Sequence, residues 1–204
     1  MFRFLSKALA IGLVLGAAST AALAQTRSFT FGTHEARTVI TFVGEAEIET
    51  ITGTVNKLSG KLEVDGEAPK AGAKLSVDLG DLKTGIELRD EHLRGENWLD
   101  AAKHPKIDFE LSSLSLRSDG KSYDFKGNMT IKGKTKAVSG IAKLKFVSAE
   151  KAEKFKLGAG EWVNVKTSFE LQLSDFGVTV PEGTGAKVSN TWQVSIDIWG
   201  TTQP

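Results

Sequence analysis

The stretch VNVKTSFELQL, Val163–Leu173, decides the fold class. Val163, Val165, Thr167, Phe169, Leu171 and Leu173 fall on one face, while Asn164, Lys166, Ser168, Glu170 and Gln172 fall on the other. A period of two marks a strand with one buried side, because successive side chains of an extended chain point to opposite faces. The alternation recurs at Leu75, Val77 and Leu79, at Ile107, Phe109 and Leu111, and at Tyr123, Phe125, Gly127, Met129 and Ile131. The closing segment repeats it at Val188, Asn190, Trp192, Val194, Ile196 and Ile198. Asp65-Gly66, Asp119-Gly120, Lys132-Gly133 and Gly158-Ala159-Gly160 punctuate these runs as hairpin turns do. About eight strands can be drawn, and one-faced strands in that number form either a sandwich or a barrel. Their length favours an antiparallel barrel.

One segment departs from this period. TGIELRDEHLRGENWLD, Thr84–Asp100, places apolar residues at Ile86, Leu93 and Trp98 and a helix-supporting pair at Asp90 and Arg94. The pattern predicts a short helix from Ile86 to Gly95, ended by that glycine, with the next strand starting after Pro105. The chain is therefore all-β with one short helical insertion.

The chain begins with Arg3 and Lys7, an unbroken apolar run from Ala8 to Ala18, and Ala22-Leu23-Ala24 before Gln25. These are the three regions of a secretory signal peptide, residues 1–24, with cleavage expected after Ala24. The run is shorter than the roughly 20 apolar residues of a spanning helix, so no transmembrane anchor is expected after cleavage. Residues 25–204 then form one domain in the periplasm. Without Arg3 and Lys7, the 26 basic side chains become 24 against 25 acidic ones, a net charge of −1. That balance speaks against nucleic acid, which needs a dense basic face. With no cysteine in the chain, thiol catalysis, iron–sulfur clusters and thiolate zinc sites are excluded.

The remaining chemistry-bearing residues are explained by structure. His34, His92 and His104 match no compact ligand spacing, so no metal site is assigned. The charges of Glu87, Arg89, Asp90, Glu91, His92, Arg94 and Glu96 spread around a helix instead of converging on one reacting atom. Asp175-Phe176-Gly177 lacks the partner motifs of a kinase, and Gly183–Lys187 lacks the spacing of a phosphate loop, so both read as turns. No catalytic residue and no cofactor is expected. The apolar stripes suit either a packed core or the wall of a cavity. Large residues interleaved with Gly53, Gly127 and Gly140 would leave room for a chain-like guest.

Three blocks carry a family resemblance: LKTGIELRDEHLRGENWLDAAKHPKIDFE (Leu82–Glu110), GNMTIKGKTKAV (Gly127–Val138) and LSDFGV (Leu173–Val178). Together they resemble the YceI-like family of periplasmic polyisoprenoid-binding proteins. The resemblance implies a lipocalin-like eight-stranded antiparallel barrel holding a polyprenyl chain, of the isoprenoid quinone or polyprenyl phosphate class, in an apolar tunnel. Arg89, Asp90, His92, Leu93 and Arg94 carry over as a structural marker. Many relatives place a His shortly after the Phe-x-Val of the second strand, whereas Phe42-Val43 is followed here by Gly44 and Glu45. The expected ligand wall is Ile40, Phe42, Leu75, Val77, Phe109, Phe125, Met129, Phe146, Phe169 and Trp192. The expectation is thus a binding or carrier protein. The alternative is a stress-response or protein-interaction module with a packed or incidentally filled barrel, and a homodimer through an edge or loop is left open.

Overall fold

The computed structural model describes residues 26–34, 37–66 and 68–204. The expected leader and its cleavage point lie outside these residues. Strands β1 (Thr26–Phe31), β2 (Val39–Glu45), β3 (Thr50–Val55), β4 (Leu58–Asp65), β5 (Ala68–Pro69) and β6 (Lys74–Asp78) precede helix α1 (Glu87–Arg94). Strands β7 (Lys106–Leu116), β8 (Ser122–Ile131) and β9 (Lys134–Val147) follow, then helix α2 (Ala149–Lys154), β10 (Trp162–Gln172) and β11 (Thr191–Thr201).

These strands make eight staves of one closed antiparallel barrel. Both β1 and β2 pair antiparallel with β11, through Phe31↔Gly200 and Ile196↔Ile40, so they are two lengths of a single stave. Strands β4 and β3 pair with β1 and β2 respectively and form the next stave. Strands β6 to β11 complete the circuit in sequence order, and a bridge between Thr54 and Lys83 extends the β6 stave alongside β3. Closure leaves the barrel no long open edge, the usual liability of an all-β fold.

The register matches the period-two reading. Val165, Phe169 and Leu171 lie opposite Ile198, Val194 and Trp192 on the inner face. On the outside, Lys166 is ion-paired with Asp197 at 2.7 Å, and Glu170 is exposed. At the β7–β8 hairpin the Ser122 hydroxyl, then the backbone N–H groups of Lys121 and Ser122, donate to Asp119. They hold its carboxyl down to about 2, below its ordinary 3.8.

The structure corrects two expectations, the start of the last strand and the Asp90–Arg94 pair, and adds one helix. Val188 and Asn190 lie before β11, which begins at Thr191. There the Val188 N–H donates to Thr184 O, and the Asn190 side chain accepts from Ser174 N–H and donates to Ser174 Oγ. Turn bonds have displaced the ladder that alternation alone suggested. The helix spans Glu87–Arg94, with Ile86 and Gly95 as its caps. Its Asp90 and Arg94 do not pair with each other: Asp90 accepts from Thr84 N–H (2.7 Å) and Thr84 Oγ1 (2.6 Å), and Arg94 donates to Leu82 O (3.1 Å). Helix α2 was not foreseen; its Ser148 cap accepts from Lys151 N–H. It covers a second cluster, on the outer wall, formed by Val147, Ala152 and Trp162.

Asp90 is buried and pins the loop before α1 to the helix. Asp90→Ala is expected to cost about 1–2 kcal/mol, because it removes two hydrogen bonds to a carboxylate and leaves the part-buried Thr84 donors to find water. Thermal unfolding of the variant checks this, and an unchanged melting temperature would refute the anchoring role.

Candidate functional site

The barrel interior is hollow. Its free space, about 230 Å³, is bounded by an apolar wall contributed by every stave. Among the described residues the one polar side chain on the wall, that of Thr167, donates its hydroxyl to Ile141 O at 2.9 Å, so it adds no free polar group. Among the described residues no titratable side chain lines the cavity. The strand pattern left a cavity and a packed core undecided, and the interior holds a cavity.

One end is plugged. Phe29, Val64 and Val163 are fully buried there, and Phe146 stacks on Phe29 at 5.9 Å between ring centroids. The Arg27 guanidinium lies over both rings, 5.6 Å from Phe29 and 5.3 Å from Phe146. It is ion-paired to Glu161 at 2.9 Å and donates to Gly66 O. A cation over two aromatic faces with its hydrogen bonds satisfied makes a compact stopper.

The opposite end receives the connections that leave β6, β8 and β10. Leu93 of α1, Trp98 and Leu99 just after it, and Leu173 and Val178 of the β10–β11 connection all reach the cavity. Arg89 of α1 is ion-paired with Glu49 of the β2–β3 turn at 2.7 Å, and Ile48 N–H donates to Ala186 O. Helix, turn and loop are thus tied together around this end.

Nine of the ten residues expected on the wall are there: Ile40, Phe42, Leu75, Val77, Phe109, Phe125, Met129, Phe169 and Trp192. Phe146, the tenth, lies beyond the cavity lining. It shares the inward parity, but its height on β9 puts it in the plug with Phe29 instead of beside the cavity. Strand periodicity also missed Leu82, Leu93, Trp98, Leu99 and Val178, which come from helix and loops. Their only signal was apolarity within the Leu82–Glu110 and Leu173–Val178 blocks.

The three histidines do not meet at the cavity. The His34 ring packs on Trp162 at 4.7 Å on the outer wall, His104 lies beside Gly133, and His92 is carried by α1. No group of three or more His, Asp or Glu among the described residues is arranged to hold a metal ion. Among those residues no helix is long and apolar enough to cross a membrane. Asp175 and Phe176 sit in a 3-10 turn capped by Gly177, whose φ is +71°.

Inside, the rings of Phe109, Phe125 and Phe169 meet edge to face at 6.1 Å, and Phe42 and Trp192 meet at 5.4 Å. The Trp192 indole N–H donates to Ser189 O at 2.7 Å, which satisfies its one polar atom.

Comparison with known proteins gives a consistent picture. The YceI-like domain model matches residues 31–199. A UPF0312 protein of Pectobacterium carotovorum is 30% identical over 138 residues, 64% of this chain and 65% of the relative. Protein YceI of Salmonella arizonae matches with the same identity and coverage. The matched region therefore spans about 65% of the length of these curated relatives. Among solved structures, Burkholderia cenocepacia BcnA superposes with a TM-score of 0.68 at 20% identity, covering 82% of this chain and 98% of that one. A polyisoprenoid-binding domain from Saccharophagus degradans, implicated in plant cell wall breakdown, superposes with a TM-score of 0.62 at 14% identity. That superposition covers 87% of this chain and 99% of the other.

Proposed function

The chain belongs to the YceI-like domain family, and on that footing we propose that it is a periplasmic binding or carrier protein for a polyisoprenoid lipid. The ligand class is an isoprenoid quinone or polyprenyl phosphate, with its tail in the barrel and its head at the α1 end. The observation that carries this reading is the hollow apolar interior, plugged at one end by Arg27, Phe29 and Phe146. A wall whose described residues present no free polar group suits hydrocarbon and offers nothing to a charged or strongly hydrated guest. The polyisoprenoid-binding domain with the same fold supports the choice of lipid. Export through residues 1–24 would place the protein where such lipids meet the envelope.

The driving force is desolvation. A five-carbon isoprene unit contributes about 4 kcal/mol gross at about 0.8 kcal/mol per CH₂. A few buried units then outweigh the cost of immobilising the chain, which is of order 4–15 kcal/mol for association as a whole. Among the described residues the wall is built of hydrocarbon side chains and one hydrogen-bonded threonine, and the proposal is for binding without chemistry.

Organic extraction and mass spectrometry of protein purified from its native periplasm test the reading. A bound isoprenoid is expected, and the intact mass of the same sample should begin at Gln25. Protein that yields no isoprenoid and binds none when it is added would overturn the proposal.

A further inference from the structure

We infer that glycine–aromatic pairs set the bore of the lumen and make it a site for a single hydrocarbon chain, with no room for a two-chain lipid. This rests on the lipid-carrier reading above. Five such pairs have their ring on the cavity wall; in two of them, Gly127 with Phe109 and Gly200 with Phe31, an added Cβ would stand 2.4 Å and 3.0 Å from the ring. Gly53 of β3 lies directly across from Phe42 of β2, and a Cβ on it would stand 2.0 Å from Phe42 Cζ. A Cβ on Gly44 would stand 2.7 Å from Trp192 Cε2, and one on Gly140 would stand 2.9 Å from Phe125 Cε1. Carbon atoms in ordinary contact are about 3.5–4.0 Å apart, so each ring occupies the space a side chain would have taken. The rings lie back against bare backbone and leave the axis of the barrel open.

The dimensions fit one chain. The wall follows β7 from Ile107 to Leu114, which at about 3.3 Å per residue and a stave tilt of about 40° is roughly 15–20 Å of barrel axis. A free space of about 230 Å³ spread evenly over that length, with about 1.4 Å added all round for a water-sized sphere, corresponds to a mean bore of about 7 Å. One methyl-branched chain fills such a bore. Two chains side by side need at least about 8 Å, with carbons in contact at about 4 Å.

A methyl group at Gly53 can be accommodated only if the Phe42 ring moves, and the ring's free side is the lumen, where it already meets Trp192. Gly53→Ala should therefore weaken binding of geranylgeraniol, a single-chain probe, by about tenfold or more, equivalent to about 1.4 kcal/mol. Quenching of Trp98 and Trp192, both on the wall, reads the binding. Gly53→Ala/Phe42→Leu, which removes the displaced ring, should restore it. Dihexanoylphosphatidylcholine should not compete with geranylgeraniol in wild type, but should do so in Phe42→Leu.

The outcomes separate the two proposals. Wild type that does not bind geranylgeraniol removes the carrier reading itself. Wild type that binds it, with Gly53→Ala equally good or the double variant not rescued, overturns the gauge and leaves the carrier intact. Should Gly53→Ala fail to give a cooperative melting curve, Gly140→Ala, with its milder approach to Phe125, carries the same expectation. Phe42→Leu that still refuses the two-chain lipid also overturns the gauge.

Discussion

Phe29→Ala is expected to lower stability by about 3–5 kcal/mol, the usual cost of deleting a buried aromatic ring. At about 2–4 °C per kcal/mol for a domain of this size, the melting temperature should fall by about 6–20 °C. Phe29 is fully buried, packed against Phe146 and covered by the Arg27 guanidinium. Its removal leaves a void where the barrel is solid and deprives the cation of one of its two aromatic faces. Leu171→Ala is the contrasting change. Leu171 is half-buried and faces the lumen, so part of its surface has no packing partner to lose. It should cost only about 1–1.5 kcal/mol, part of the transfer energy of a fully buried leucine. Equal losses at the two positions, measured by denaturant titration, would mean that the interior is uniformly packed and that the plug is not distinct from the lumen.

The difference between plug and lumen also marks how far the fold can be read from the chain. Alternation along Val163–Leu173 reports which face each residue takes, and β10 and β11 follow it side chain by side chain. Parity says nothing about height along the barrel. Phe146 and Phe169 therefore look equivalent in sequence, yet one is in the stopper and the other on the wall. The helix bounds were legible because Gly95 stops the pattern, whereas the partners of Asp90 and Arg94 were not. Thr84 and Leu82 precede the helix, and local helix spacing does not anticipate bonds to a loop. Leu99 and Val178 escaped for a related reason, whereas Leu93 and Trp98 were legible as apolar members of the helical segment suited to closing one barrel end. All four reach the cavity from segments without a strand period, and only the closure of the barrel brings them there. Gly53, Gly127 and Gly140 were visible as gaps among large residues. The ring that fills each gap depends on register, which a single strand does not contain.

The second large effect concerns occupancy of the lumen. Val77 of β6 is half-buried on the wall, between Leu58 of β4 and Ile107 of β7. Val77→Trp should leave stability within about 1 kcal/mol of wild type while removing most of the extractable isoprenoid. In a packed core the same change forces neighbours out of their rotamers and costs roughly 1–3 kcal/mol. Here the added ring projects into space that is free without lipid. It gains apolar contact with the wall and needs no backbone movement. The lipid cannot occupy the same volume, because the bore has room for one chain and the indole fills its width. Melting temperature and extracted lipid must be read on one preparation, since bound ligand itself stabilises the native state in proportion to its occupancy. Both proteins are therefore compared after delipidation and again after incubation with geranylgeraniol. Wild type should gain stability from the lipid, and Val77→Trp should gain little. A variant that is destabilised when delipidated, or one that takes up the lipid as wild type does, would contradict a hollow lumen at Val77.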